Sequence, residues 1–186
     1  MPPLSIMIKP ASSLCNMRCR YCFYHDVSQQ RDVKNFGIMS EETAENLISK
    51  ALKFANGDSV AFAFQGGEPL IAGLDYFKKF TALVKKHNHL SSKVFFSLQT
   101  NGTLVTKEWA EFFKENQFLI GLSLDGDFEN NRFRVDDKEQ NTFYKILGTA
   151  QLFQDTGVDF NILTVLTGNC AENIEDIYKF VDIRIE

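Results

Sequence analysis

Val60-Ala61-Phe62-Ala63-Phe64-Gln65-Gly66-Gly67-Glu68-Pro69 decides the fold. Five apolar residues running straight into a glycine pair describe a short strand, buried on both faces, that ends in a turn. Upstream, Ser40 is a good helix N-cap, with Glu41 and Glu42 in the first turn where the helix dipole favours carboxylates. Ala44, Leu47, Ile48, Ala51 and Leu52 then recur at helical spacing, and Asn56-Gly57 ends the run. Downstream the pattern repeats. A helix carries Leu74, Phe77, Phe80 and Val84, and a strand covers 94–98. Thr106 starts a helix with Trp109, Phe112 and Phe113, and 118–124 is the next strand. A helix with Phe143, Ile146, Leu147, Ala150 and Phe153 stops at Gly157, followed by a fifth strand at 158–166. Ile174, Ile177 and Tyr178 mark a fifth helix. Residues 5–9 form the first strand, and Val181, Ile183 and Ile185 alternate like the opening of a sixth.

This alternation is that of an α/β protein with a parallel sheet and right-handed crossovers. Two shapes satisfy it, an open doubly wound sheet and an incomplete barrel, and periodicity does not choose between them. The stub at Val181 predicts a fold truncated at the sixth strand. No linker or low-complexity tract divides the chain, so residues 1–186 read as one domain with no second domain. In parallel α/β folds ligands gather at the carboxyl ends of the strands. Polar or glycine-rich sequence follows every strand: the cysteine segment, Gly66-Gly67-Glu68-Pro69, Gln99-Thr100-Asn101-Gly102, Ser123-Leu124-Asp125-Gly126 and Thr167-Gly168-Asn169. All five are expected on one face.

Composition narrows the function. The net charge is −4, and the 20 basic residues are scattered rather than striped, which argues against nucleic acid. No apolar run approaches the ~20 residues of a membrane span, and none near the N-terminus suits a signal peptide. A cytoplasmic protein is expected. Three of the four cysteines fall within eight residues, which in a cytoplasmic chain points to a metal site rather than disulfides.

Those three, Cys15, Cys19 and Cys22, have the spacing C-x3-C-x2-C. Three thiolates can hold three irons of a cubane cluster, leaving the fourth iron open to an outside ligand. Structural zinc sites prefer four ligands, and the fourth here is Cys170 or a histidine such as His25. Spacing alone leaves a cluster, a zinc site and unpaired structural thiols open.

The same segment, with Tyr21 before the last cysteine, resembles the signature of radical S-adenosylmethionine (SAM) enzymes. The likeness is wider than that. Pro2-Pro3-Leu4-Ser5, Lys9-Pro10-Ala11-Ser12-Ser13, Tyr21-Cys22-Phe23-Tyr24-His25, Gly37-Ile38-Met39, residues 62–69, Leu98-Gln99-Thr100-Asn101-Gly102-Thr103 and Gly121-Leu122-Ser123 together resemble the anaerobic sulfatase-maturating enzymes. Leu14 departs from the glycine expected before the first cysteine. The resemblance runs from Met1 to about Lys179 and implies a partial (β/α)6 TIM-like barrel. It further implies a [4Fe–4S] cluster on Cys15, Cys19 and Cys22, with SAM on the open iron. Reductive cleavage of SAM then gives a 5′-deoxyadenosyl radical, which abstracts hydrogen from a Cys or Ser of a sulfatase on the way to Cα-formylglycine. The partners implied are the sulfatase polypeptide and an electron donor such as flavodoxin or ferredoxin. Members of that family also carry a SPASM-type C-terminal domain with two auxiliary clusters and the catalytic Asp. The sequence ends before that region, so the catalytic residue is unknown here, and the chain alone is expected not to complete full turnover. A thioether-forming peptide-modifying relative remains an alternative, as does a zinc-stabilised α/β binding module.

The resemblance also assigns roles. Gly66, Gly67 and Glu68 fit the motif that binds the methionine part of SAM, Glu68 either accepting from the amino group or holding the turn. Arg134, or Arg132 two residues earlier, is the cation near the SAM carboxylate. Ser123 is a hydroxyl partner for SAM, and Tyr21 offers backbone groups to adenine. Tyr24, Gln65 and Gln99 face the peptide substrate. Asp125 reads either as a general base or as strand-end turn chemistry. Cys170 reads as a buried or loop thiol, and His25, His87 and His89 show no catalytic pairing.

Overall fold

A computed structural model describes residues 3–185, and the side chains of all of these but residue 169 and residues 182–185. Among them five strands, β1 (Leu4–Ile8), β2 (Val60–Phe64), β3 (Val94–Thr100), β4 (Phe118–Ser123) and β5 (Phe160–Leu163), lie side by side in that order, all parallel. Leu4 pairs with Val60, Val60 with Val94, Phe96 with Phe118, and Ile120 with Phe160. The order never reverses. A doubly wound sheet needs a reversal to place helices on both faces, whereas sequential crossovers of one hand keep them on one side. The strand order therefore selects the partial barrel.

The covering layer is α2 (Glu41–Ala55), α3 (Leu74–His87), α4 (Lys107–Glu115) and α5 (Phe143–Thr156), with a short α1 (Phe23–Gln29) after the cysteine segment. Ser40 caps α2 by accepting the Thr43 N–H at 3.1 Å, and Asn56 closes it in the left-handed region at φ 48°. Gly157, at φ 67°, ends α5, with the Val158 N–H reaching back to the Phe153 carbonyl. That six-residue closure takes Val158 out of the strand predicted to begin there. Beyond Leu163 the chain bonds to side chains and carbonyls at the site instead of the ladder, so β5 is shorter than the predicted 158–166.

Only one face of the sheet is buried. Val60, Phe62 and Phe64 point into the helix layer, packing with Ile48, Phe77 and Phe80, while Ala61 and Ala63 are half-exposed on the other side. β4 repeats the pattern, with Phe118, Ile120 and Leu122 inside and Leu119 outside. The reading of 60–64 as buried on both faces is thus corrected. Its second face is the inner wall of the partial barrel, lined by small residues where the curved strands crowd.

No sixth strand forms among the described residues. After α6 (Gly168–Glu172), the helix α7 (Ile174–Ile185) runs through the segment read as a strand opening. Of the apolar positions that alternate at 181, 183 and 185, the first and last also fall at helical spacing from Ile174 and Ile177, and the helix begun there continues. Of the three residues that marked this helix, Ile177 is buried, whereas Ile174 and Tyr178 are exposed.

Candidate functional site

The cysteine segment follows β1 and lies across the carboxyl ends of its neighbours, held by backbone contacts on two sides. Towards β2, the Glu68 N–H donates to the Leu14 carbonyl at 2.7 Å. A Cβ on Gly67 would fall 2.2 Å from that carbonyl oxygen, so the residue beneath the crossing must be glycine, and its φ of 56° suits one. Towards the loop after β4, Arg18 and Arg20 donate their N–H groups to the carbonyls of Val135 and Phe133, beside an antiparallel bridge between Met17 and Asp136.

A third tether was not foreseen from sequence. The Asn101 amide donates to the Asn16 side chain at 3.0 Å, Asn16 donates to Thr103 Oγ1 at 2.8 Å, and Asn101 Oδ1 accepts from both the N–H and the hydroxyl of Thr103. The motif Gln99-Thr100-Asn101-Gly102-Thr103 carried the signal, since a buried Asn at a strand end requires partners.

Cys15, Cys19 and Cys22 share one cavity of about 230 Å³ with Gly66, Gly67, Ser123 and Arg134. Tyr21, Tyr24, Gln65 and Gln99 line it too, so the structure brings together every predicted site residue except Glu68. Glu68 lies behind the wall, 1% exposed, its carboxylate accepting from the N–H groups of Leu70 and Asn101 and the hydroxyl of Thr100. Of its two predicted roles, the geometry shows the one of holding the turn. Gln99 lies over Gly121 and donates to Ser123 Oγ at 2.8 Å. Tyr24 packs against Phe23 with its ring tilted and receives the Lys9 ammonium 4.8 Å above its ring.

The thiols are half-buried. Burial pushes Cys15 up to about 11, with the Glu68, Cys19 and Cys22 charges adding to it against a bond from the Met17 N–H. Burial also raises Cys19, while the Arg134 charge pulls it back. Thiolates in such a setting need cationic iron or zinc to compensate them. Among the described residues no three His, Cys, Asp or Glu side chains converge on a point that could hold a single metal ion. A cubane makes no such demand, because each cysteine binds a different iron. The donor set therefore fits a cluster better than mononuclear zinc.

Opposite the thiols stands a buried ion pair. Arg134 Nη2 lies 2.9 Å from Asp125 Oδ1, with side chains 7% and 1% exposed. Asp125 also accepts the Tyr21 hydroxyl and, at 2.9 Å, the Val165 N–H. Asp125 is thus neither a free base nor a turn residue. Arg132 packs over the Phe133 ring instead, so Arg134 is the arginine of the cavity. Cys170 is fully buried in α6 beside the Thr167 hydroxyl, His87 pairs with Glu45 at 2.8 Å, and His25 lies 3.9 Å from Asp26; none of them lines the cavity.

Fold and site together define a parallel α/β partial barrel that carries a three-cysteine cofactor loop at its strand ends. The family model of the Radical SAM superfamily matches residues 10–181, and the chain belongs to that superfamily, which uses a [4Fe–4S] cluster and SAM. Its similarity is more particular than that. It is 50% identical over 97% of its length to a cysteine-type anaerobic sulfatase-maturating enzyme of Clostridium perfringens, covering 49% of that protein. It is 34% identical over 96% of its length to a serine-type enzyme of Bacteroides thetaiotaomicron, covering 43%. The structure described as native anSMEcpe with bound AdoMet superposes with a TM-score of 0.92 at 49% identity, over 97% of this chain and 49% of that one. The same protein with bound AdoMet and Kp18Cys peptide gives 0.91 at 48%. The chain spans about half the length of the curated relatives it matches. No helix among the described residues is long and apolar enough to cross a membrane.

Proposed function

We propose that this chain is the radical-generating domain of an anaerobic sulfatase-maturating enzyme, residues 1–186 acting as one unit. A single observation carries the reading: three thiols share one cavity with a glycine turn, a hydroxyl and a buried arginine. When bound, the cluster and SAM supply a 5′-deoxyadenosyl radical that abstracts hydrogen from a Cys or Ser of a sulfatase, leading to Cα-formylglycine. The chain's own residues bind and orient. Cys15, Cys19 and Cys22 ligate iron, and Gly66 and Gly67 let the backbone approach the methionine part of SAM. Arg134 is the cation at its carboxylate, Ser123 is a hydroxyl partner for SAM, and Tyr21 offers backbone groups to adenine. Tyr24, Gln65 and Gln99 face the target peptide. Flavodoxin or ferredoxin is the class of electron donor.

The test is anaerobic reconstitution of the chain, followed by dithionite and SAM. Iron and sulfide near four per chain are expected, as for one cubane, together with 5′-deoxyadenosine detected by chromatography. Cys19→Ala loses cluster and product together. One zinc per chain and no 5′-deoxyadenosine would overturn the reading.

A further inference from the structure

Asp125 is fully buried and collects donors from three separate segments: Tyr21 of the cysteine loop, Arg134 of the loop after β4, and the backbone of Val165 beyond β5. Its own N–H donates to the Asn131 side chain at 3.2 Å. The other Lys and Arg ion pairs given by the described residues are exposed, such as Lys79–Glu41 and Lys107–Glu111. A buried pair is poor evidence of a stabilising purpose, because apolar residues of the same shape serve stability as well. Its place asks for another explanation. Arg134 lines the same cavity as the three thiols, and its guanidinium sits over the Tyr21 ring at 5.5 Å, two residues from Cys19 and one from Cys22. A cation there, in a medium that screens poorly, acts strongly on whatever charge the cysteines carry.

We propose that Asp125 is a positioning residue that fixes Arg134 beside the cluster and offsets its charge, so that the pair sets the cluster's reduction potential. The proposal rests on the cluster assignment made above. Reduction adds one negative charge to the cluster. An uncompensated Arg134 favours the reduced form and raises the potential, and loss of Arg134 with Asp125 retained does the opposite.

The experiment uses the anaerobically reconstituted full chain and its Asp125→Asn, Arg134→Gln and double variants. Iron and sulfide content is measured first, and a wild-type chain that binds no cluster refutes the assignment on which the proposal stands. Midpoint potentials then come from redox titration followed by electron paramagnetic resonance. The expected result is a higher potential for Asp125→Asn, a lower one for Arg134→Gln, and a double variant returned close to wild type. A purely structural role predicts no such opposition. Single variants that shift the potential in the same direction, or a double variant further from wild type than either single, would overturn the proposal. Should Asp125→Asn fail to hold iron, Arg134→Gln decides alone, and an unchanged potential there sinks the idea.

Discussion

The carboxylate of Glu68 accepts the backbone N–H of Asn101 at 2.7 Å, joining the turn after β2 to the turn after β3 across 33 residues of sequence. Its other oxygen accepts from Leu70 and Thr100. Glu68 therefore braces two loops that both touch the cysteine segment, one through Leu14 and one through Asn16.

Burial pushes the Glu68 carboxyl up to about 7, against the pull of those three donors. Between the ordinary carboxylate value and about 7, the unfolded chain ionises while the folded one keeps its proton. Stability from this group is thus full below about 4.5 and falls as the pH climbs to about 7, by roughly 3 kcal/mol at ~1.4 kcal/mol per pH unit. Glu68→Gln removes that slope. At pH 5 the wild-type carboxyl is itself protonated among the same donors, so the amide should cost no more than about 1 kcal/mol there. Urea midpoints at pH 5, 6 and 7.5 measure both effects. A variant whose slope matches wild type would contradict the assignment.

Gly67→Ala is expected to cost the cluster loop its seat. The added Cβ meets a backbone carbonyl 2.2 Å away, and a φ of 56° is itself unfavourable for alanine. The loop must shift, at about 1–3 kcal/mol, and iron content after reconstitution should fall well below that of wild type. Gly148→Ala is the control. It lies mid-helix in α5 with nothing within 4 Å of the new Cβ, and should gain about 0.5–1 kcal/mol with iron content unchanged.

Phe118 anchors the aromatic core: its ring stacks on Phe96 at 4.9 Å and packs against Phe112 and Phe113 at 5.5 and 5.4 Å. Phe118→Ala should destabilise by about 3–5 kcal/mol, as large buried side chains do when truncated to a cavity. Thermal unfolding should register that loss, while the cavity of Cys19, which Phe118 does not line, keeps its neighbours.

Element type and order were legible because the apolar pattern is strong: Ser40, Asn56 and Gly157 cap where their chemistry says they should. The barrel was not legible from periodicity, because it depends on strand order, a non-local property. The segment at 181–185 was misread because 181, 183 and 185 alternate like a strand while 181 and 185 also continue the helical stripe of Ile174 and Ile177, and tertiary context decides such ties. At the site, the cysteines and the glycine turn were readable from spacing. The Asp125–Arg134 pair was not, since the two residues meet only when the loop after β4 folds back on the cysteine segment.

Gly121→Ala separates stability from site geometry. The new Cβ would lie 2.2 Å from Gln99 Oε1 and 2.5 Å from Leu163 Cδ1, both ends of side chains that can turn aside. The backbone need not move, so the loss of stability should stay near the ~1 kcal/mol of mild overpacking. Gln99, however, cannot turn aside and still donate to Ser123 Oγ. While it donates, the Ser123 hydroxyl proton is left to point elsewhere, into the cavity that both side chains line. Losing that orientation should weaken SAM binding by roughly tenfold, the worth of one hydrogen bond of ~1.4 kcal/mol. Gln99→Met removes the same bond without crowding Gly121 and should give the same loss. Equilibrium dialysis of SAM against the reconstituted variants measures it. If Gly121→Ala weakens binding while Gln99→Met leaves it intact, the effect comes from crowding at Leu163, and Gln99 has no hold on Ser123.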